Sequence, residues 1–207
     1  MPTQRFYNLS EAKKHVIIKA AKHEFSRALY SEASINKIIQ EAGISRGSFY
    51  TYFEDKEDLL KYLMEDFQNK CKSAIWKSLE GANGDLFNAV DQVVSYVIRH
   101  GRQNEDFNFY KNVLSDYHLT TDTVGFRQHA FLHNYTPFHS FTEGCFQRLD
   151  KDKYELQNAA DFGYLLELLC IVSLKTIAIV YNGIASEDDA KKVYDKQMNI
   201  LKVGVCR

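Results

Sequence analysis

Arg46, Ser48, Tyr50 and Thr51 lie together in the stretch Ser34–Phe53, SINKIIQEAGISRGSFYTYF, and are well equipped to grip another molecule. Phe49 and Phe53, four positions apart, make the inward face of a short helix. The four side chains named first, a guanidinium and three hydroxyls, are left to point outward. The elements before them fix that position. Ser34 is a good N-cap residue, and Ile35, Ile38 and Ile39 follow at i, i+3 and i+4 as one apolar helix face. Gly43 stands where that helix ends and can take the left-handed conformation, Ile44 returns to the core, and Ser45 offers a second cap. A helix, a glycine turn and a second exposed helix make a helix-turn-helix, whose second helix can enter a DNA major groove. The same pattern also suits an ordinary helical hairpin.

The continuation narrows the choice. Glu54-Asp55-Lys56-Glu57-Asp58-Leu59-Leu60 opens a long amphipathic helix, with Asp55 as the expected cap and Asp58 at the capping-box position. The run Ala42-Gly43-Ile44-Ser45-Arg46-Gly47-Ser48-Phe49-Tyr50-Thr51-Tyr52-Phe53, followed by Lys56-Glu57-Asp58-Leu59-Leu60, closely resembles the DNA-binding domain of the TetR/AcrR family of bacterial regulators. The resemblance covers residues 10–67. Beyond it, only the helical layout expected of that family's variable ligand-binding and dimerisation domain is visible.

The resemblance implies roles residue by residue. Ser45 as N-cap leaves backbone N–H groups facing a phosphate. Arg46 has the fork that can bond both O6 and N7 of a guanine. Gly47 lets the backbone approach DNA closely, and Ser48, Tyr50 and Thr51 reach base edges, thymine methyls or sugars. The Tyr52 and Ser34 hydroxyls and the Lys56 ammonium are placed for phosphates. Arg46, Ser48, Tyr50 and Thr51 then carry sequence preference, while phosphate contacts set affinity and register. Thr51 stands where the family often has a larger or basic residue. Taken singly, Tyr52 also reads as a surface aromatic and Lys56 as an ordinary helix-surface charge.

Composition agrees with a helical protein. At 207 residues the chain can bury a full core, and it holds only two prolines, Pro2 and Pro137, and few strand-like alternations. The expected fold is all-α: a three-helix helix-turn-helix DNA-binding domain at residues 1–55, with the motif at 34–53. A long helix joins it to a helical effector-binding and dimerisation domain at 56–207. The net charge of −1 divides unevenly. Residues 1–53 carry 8 Lys+Arg against 4 Asp+Glu, and the remainder 18 against 23, so the basic part is the part with the motif.

Cys71, Cys145, Cys170 and Cys206 form no C-x-x-C pair and read as reduced thiols, not a disulfide framework or zinc site. Arg5 to Lys22 is polar and amphipathic, unlike a signal peptide. The apolar stretch Phe162–Tyr181 contains Glu167 and Lys175, which favours a buried interface helix over a membrane span. The chain is thus expected in the bacterial cytoplasm, with no membrane partner.

Further helices are predicted from Ser10 to about Ala28, Asp55 to about Leu79, Leu86 to Gly101 and Asp106 to Tyr117. Others run from Val124 to Leu149, with a break near Thr136 at Pro137, from Gln157 to Tyr181, and from Ser186 onward. The last has the stripe Ala190, Val193, Tyr194, Gln197, Met198 and Leu201.

Residues 107–146 are crowded with aromatics. Phe107, Tyr110, Tyr117, Phe126, Phe131, Tyr135, Phe138 and Phe141 are the candidates to line a cavity for a small apolar or aromatic effector. Most such rings serve as core. His129 and His133 have an i, i+4 spacing that a metal can use, but no H-E-x-x-H or cysteine accompanies them, and no metal or cofactor is expected. With no nucleophile elbow, no phosphate-binding glycine loop and no placeable acid/base pair, an enzyme is not expected either.

The last two helices offer more apolar surface than one small domain needs, so a homodimer through them is expected, with Leu169 or Ile177 as candidate partner-facing positions. The leading reading is a regulator, a repressor released from palindromic operator DNA by its ligand. The alternatives are an effector-free architectural or division-linked DNA-binding factor and a protein-interaction module.

Overall fold

The computed structural model describes residues 2–116 and 136–205, with the backbone alone for 136–139. Every regular element among the described residues is a helix. Besides two short 3-10 turns at Gly101–Gln103 and Lys151–Lys153, these are in chain order α1 (Gln4–Tyr7), α2 (Glu11–Arg27), α3 (Ile35–Ala42), α4 (Arg46–Tyr52), α5 (Lys56–Gly81), α6 (Leu86–His100), α7 (Phe107–Ser115), α8 (Thr136–Arg148), α9 (Ala159–Tyr181) and α10 (Glu187–Val205).

Local chemistry accounts for most helix starts. The side chains of Ser10, Ser45, Asp85 and Asn158 each accept a backbone N–H of the first turn that would otherwise lack a partner. At the start of α5, Asp55 Oδ1 accepts the Asp58 N–H at 2.7 Å, while Asp58 Oδ2 reaches back to the Glu54 N–H at 3.1 Å. Ser186 Oγ accepts the Asp189 N–H at 3.1 Å at the head of α10. Gly43 ends α3 at φ 64° and ψ 32°, the left-handed cap that its sequence position predicts. Pro137 stands in the first turn of α8, where its missing N–H costs nothing.

The chain packs as two compact units. The first takes the described residues up to Asn69 together with the segment that begins at Glu105. Its core joins Phe6 of α1, Ile17, Ala21 and Phe25 of α2, Ile38 of α3, Phe49 and Phe53, Leu59 and Met64 of α5, and Phe109 and Val113 of α7. Where the sequence places a boundary at 55/56, packing carries the first unit past it and adds α7, which lies against α2. Phe109 is fully buried beside Phe25, and the Asn112 side-chain amide donates to the Phe25 carbonyl at 3.1 Å. Lys22 pairs with Asp106 at the start of α7.

The second unit comprises Lys70 to Asn104 and the described residues from Thr136 onward. Here α9 packs against α6, α8 and α10. Trp76 of α5 rests on Gly144 of α8, where a Cβ would come within 2.6 Å of the indole ring, and Arg148 stacks on the same ring at 4.0 Å. Leu169 and Ile177 are buried inside this unit, so neither faces a partner. The reason is that α9 is apolar nearly all round and turns that side onto its own neighbours. On α10, Ala190, Tyr194 and Met198 are buried as the stripe predicts, whereas Val193 is exposed. α9 is long and apolar enough to cross a membrane by length and composition, and half of it is buried in the unit, with Glu167, Ser173 and Thr176 among the buried residues. Cys71, Cys145 and Cys170 are free thiols whose pKa values burial pushes up to about 11, 11 and 12, far from a reactive thiolate. Cys206 lies outside the described residues.

Candidate nucleic-acid interface

α4 is anchored from beneath by Phe49 and Phe53, both fully buried. Phe53 packs on Phe49 at 5.6 Å and on Phe6 at 4.7 Å between ring centroids. The N-terminal segment clasps the end of this helix. The Thr3 N–H donates to the Tyr52 carbonyl at 2.9 Å, and the Thr3 hydroxyl donates to the Thr51 carbonyl at 2.7 Å. A four-residue helix is too short to show a period, and so α1 escapes sequence reading; its one signal is the pair Phe6-Tyr7 ahead of the Ser10 cap.

On the outer side of α4, Ser45, Arg46, Gly47 and Tyr50 are exposed, and Ser48, Thr51 and Tyr52 are half-buried. Ser45 Oγ accepts the Ser48 N–H at 3.0 Å and lies 2.9 Å from Ser48 Oγ. The Thr51 hydroxyl donates back to the Gly47 carbonyl at 2.9 Å. Arg46 Nη1 donates to Asn36 Oδ1 at 2.8 Å and Nη2 to the Tyr50 hydroxyl at 3.4 Å. A Cβ on Gly47 would meet only Ser45 Oγ, at 3.8 Å, so the chain's own packing does not call for a glycine there.

Two predicted site residues are engaged differently from their sequence reading. Ser34 occupies the N-cap position of α3, but its hydroxyl makes no cap hydrogen bond. Instead the buried Glu24 of α2 accepts the Ser34 N–H at 3.0 Å. Lys56 Nζ donates to the carbonyls of Tyr30 at 2.5 Å and Ala33 at 2.8 Å, and lies 4.4 Å from the centre of the Tyr30 ring. Loss of solvent lowers the Lys56 pKa, with Asp116 and Glu24 pulling it the other way. Two of the three ammonium donors therefore tie down the α2–α3 connection, and one remains. Asp116, at the end of α7, holds the same connection by accepting the Ser31 N–H at 3.0 Å.

The predicted effector residues divide. Phe107 and Tyr110 belong to the first unit, where Tyr110 packs on Phe67 at 4.8 Å. Phe141 is buried in the second unit, with Lys72 over its ring. Tyr117, Phe126, Phe131 and Tyr135, with His129 and His133, lie outside the described residues, as does the Phe138 side chain. A cleft of about 340 Å³ in the second unit is lined by Ile98, Arg102, Val180, Ala185, Ser186 and Glu187 among others, and by none of the predicted effector residues.

Comparison with known proteins places this geometry. Residues 17–63 match the family described as bacterial regulatory proteins, tetR family, and residues 85–205 match the tetracyclin repressor-like C-terminal domain. The chain is 35% identical over 68 residues to the uncharacterized HTH-type transcriptional regulator YdgC of Bacillus subtilis (strain 168), covering 33% of this chain and 34% of that protein. It is 36% identical over 73 residues to the HTH-type transcriptional regulator HbdR of Aromatoleum sp. (strain CIB), covering 35% and 32%. The chain thus spans about a third of each of these relatives. Among solved structures, NalD, the secondary repressor of the MexAB-OprM multidrug efflux pump in Pseudomonas aeruginosa, is 15% identical with a TM-score of 0.57, covering 96% of this chain and 99% of that one. A TetR-family regulator from Mesorhizobium loti MAFF303099 is also 15% identical, with a TM-score of 0.53 and coverage of 95% and 98%. At that identity the likeness is one of fold. With both of its domain families matched along the chain, this protein belongs to the TetR family of bacterial regulatory proteins.

Proposed function

We propose that the protein is a one-component transcription regulator, a repressor that binds palindromic operator DNA as a homodimer and is released by a small apolar or aromatic ligand. The observation that carries this reading is the outer face of α4. Exposed Ser45, Arg46, Gly47 and Tyr50 stand over two fully buried phenylalanines, and Gly47 lacks a Cβ that its own surroundings would accept. Gly47 stands in the first turn of α4, where the missing Cβ leaves room for close approach of a DNA backbone.

The homodimer follows from apolar surface that no described neighbour covers. Leu168 and Ile171 of α9 are 48% and 45% exposed at i and i+3, and Val193, Ile200 and Val203 of α10 are more exposed still. Packed against their symmetry mates, these two helices make a four-helix bundle. Two reader helices about 34 Å apart then meet successive major grooves. α5 runs unbroken from Lys56 to Gly81 out of the reader unit, so a ligand that favours one tilt of this helix alters DNA binding. It does so only by its difference in affinity for the two states, and a tenfold release requires about 1.4 kcal/mol.

The test is selection of binding sites from random duplexes, followed by titration of the best site at several salt concentrations. Expected are a palindromic site, an affinity that falls steeply with salt, and a loss of about 1–3 kcal/mol with relaxed preference at one base pair per half-site for Arg46→Ala. A releasing ligand must itself bind more weakly, by the same factor, when operator is present. Absence of any sequence preference in the wild-type protein would overturn the reading.

A further inference from the structure

We propose that Asn36 of α3 is a positioning residue that sets the base preference of Arg46 on α4; the inference rests on the operator-binding reading above. Asn36 is exposed at the second position of α3, and its Oδ1 accepts from Arg46 Nη1 at 2.8 Å. The opposite side of the guanidinium is met by Tyr50, whose hydroxyl takes Nη2 at 3.4 Å and whose ring centre lies 5.6 Å away. Arg46 is thus engaged from both helices of the motif.

Two consequences follow from the chemistry of these groups. A guanidinium only donates, so the Asn36 amide must turn its oxygen to Arg46 and aim its NH₂ group elsewhere. Of the five guanidinium donors, two are taken by Asn36 and Tyr50, and the remainder are free for a guanine edge or a phosphate. An arginine held beforehand in one orientation loses less rotamer freedom on binding, and it presents its fork at one base pair and one angle. Base selection by Arg46 is therefore a property of the α3–α4 pair and not of α4 alone.

The experiment measures affinity for a panel of operators carrying each base at every half-site position, using the full-length dimer. The wild type is measured first, and if it shows no sequence preference the operator-binding reading fails together with this inference. With preference established, R46A is expected to flatten selection at one base pair by about tenfold or more. N36A is expected to reduce discrimination at that same base pair by about 3- to 10-fold and to leave the other positions unchanged. N36D keeps an acceptor for Arg46, so it retains discrimination at that pair while weakening binding to every sequence through its added negative charge. The double variant N36A/R46A should discriminate no worse than R46A, because the two residues act as one unit. If N36A keeps wild-type discrimination at the Arg46 pair, or loses it equally at all positions, Asn36 does not position Arg46. A lowered melting temperature with unchanged discrimination would assign it a purely structural role and overturn the inference as well.

Discussion

The carboxylate of Glu24 caps a helix to which it does not belong: buried on α2, it accepts the Ser34 N–H at the head of α3 at 3.0 Å. Glu24 is 1% exposed, and Arg27 at 3.2 Å and Lys37 at 3.6 Å partner the same carboxylate from the surface. A negative charge at a helix N-terminus is favourable, and here it also fastens the first helix of the motif to the core helix beneath it. Glu24→Ala removes the acceptor and leaves a shielded N–H without a partner. The expected loss is about 1–3 kcal/mol in urea unfolding, with a smaller loss for Glu24→Gln, which keeps an oxygen acceptor. Wild-type stability for the alanine variant would show that solvent replaces the cap.

Lys56 and Arg46 should separate in stability measurements although both are cations near α4. Lys56→Ala forfeits two bonds to backbone carbonyls and the contact with the Tyr30 ring, and is expected to cost about 1–3 kcal/mol of folding stability. Arg46→Ala touches only exposed partners and should stay within about 0.5 kcal/mol of wild type. Equal unfolding midpoints for the two variants would mean that the Lys56 tether does not hold in solution.

Leu168 and Leu169 are adjacent in sequence and opposite in consequence. Leu168→Glu places a charge at a half-exposed position of α9 and should convert the proposed homodimer to folded monomers in sedimentation, with loss of the proposed operator binding. Leu169→Glu buries a charge at a site with no exposure and should unfold the second unit instead. A Leu168→Glu protein that remains dimeric would move the interface elsewhere.

Alkaline pH should weaken the fold through half-buried Tyr30 and buried Tyr181. Burial pushes Tyr30 up to about 12, with Glu57, Asp55 and Asp116 adding to the shift. Burial likewise takes Tyr181 to about 12, with Arg102 opposing; its hydroxyl donates to the Val97 carbonyl at 2.8 Å. An unfolded tyrosine loses its proton near the ordinary value of 10.0, so between there and about 12 the folded chain holds protons that the unfolded chain has released. The stability these groups contribute is fully present below pH 10 and is lost as pH rises toward 12. Phenolate absorbance should therefore show a late-titrating class of tyrosines in the folded protein, merging with the rest in urea. Tyr30→Phe and Tyr181→Phe should each reduce the steepness of the stability loss.

What the sequence by itself determined was local. The caps at Ser10, Ser45, Asp55 and Ser186, the left-handed Gly43 and the inward pair Phe49 and Phe53 each depend on residues within one helical turn, and their spacing shows in the letters. The family, and the outward placement of Arg46 and Tyr50, follow from the same short-range register. Tertiary structure alone decided which partners those residues take. Glu24 and Ser34, Lys56 and the Tyr30 carbonyl, Asn36 and Arg46, and Asp116 and Ser31 are separated by 10 to 85 residues, and meet only because the helices pack as they do. The same limit governs α9. On a helix apolar nearly all round, composition cannot tell Leu168 from Leu169, and only the neighbours against which it packs select the side left to face outward.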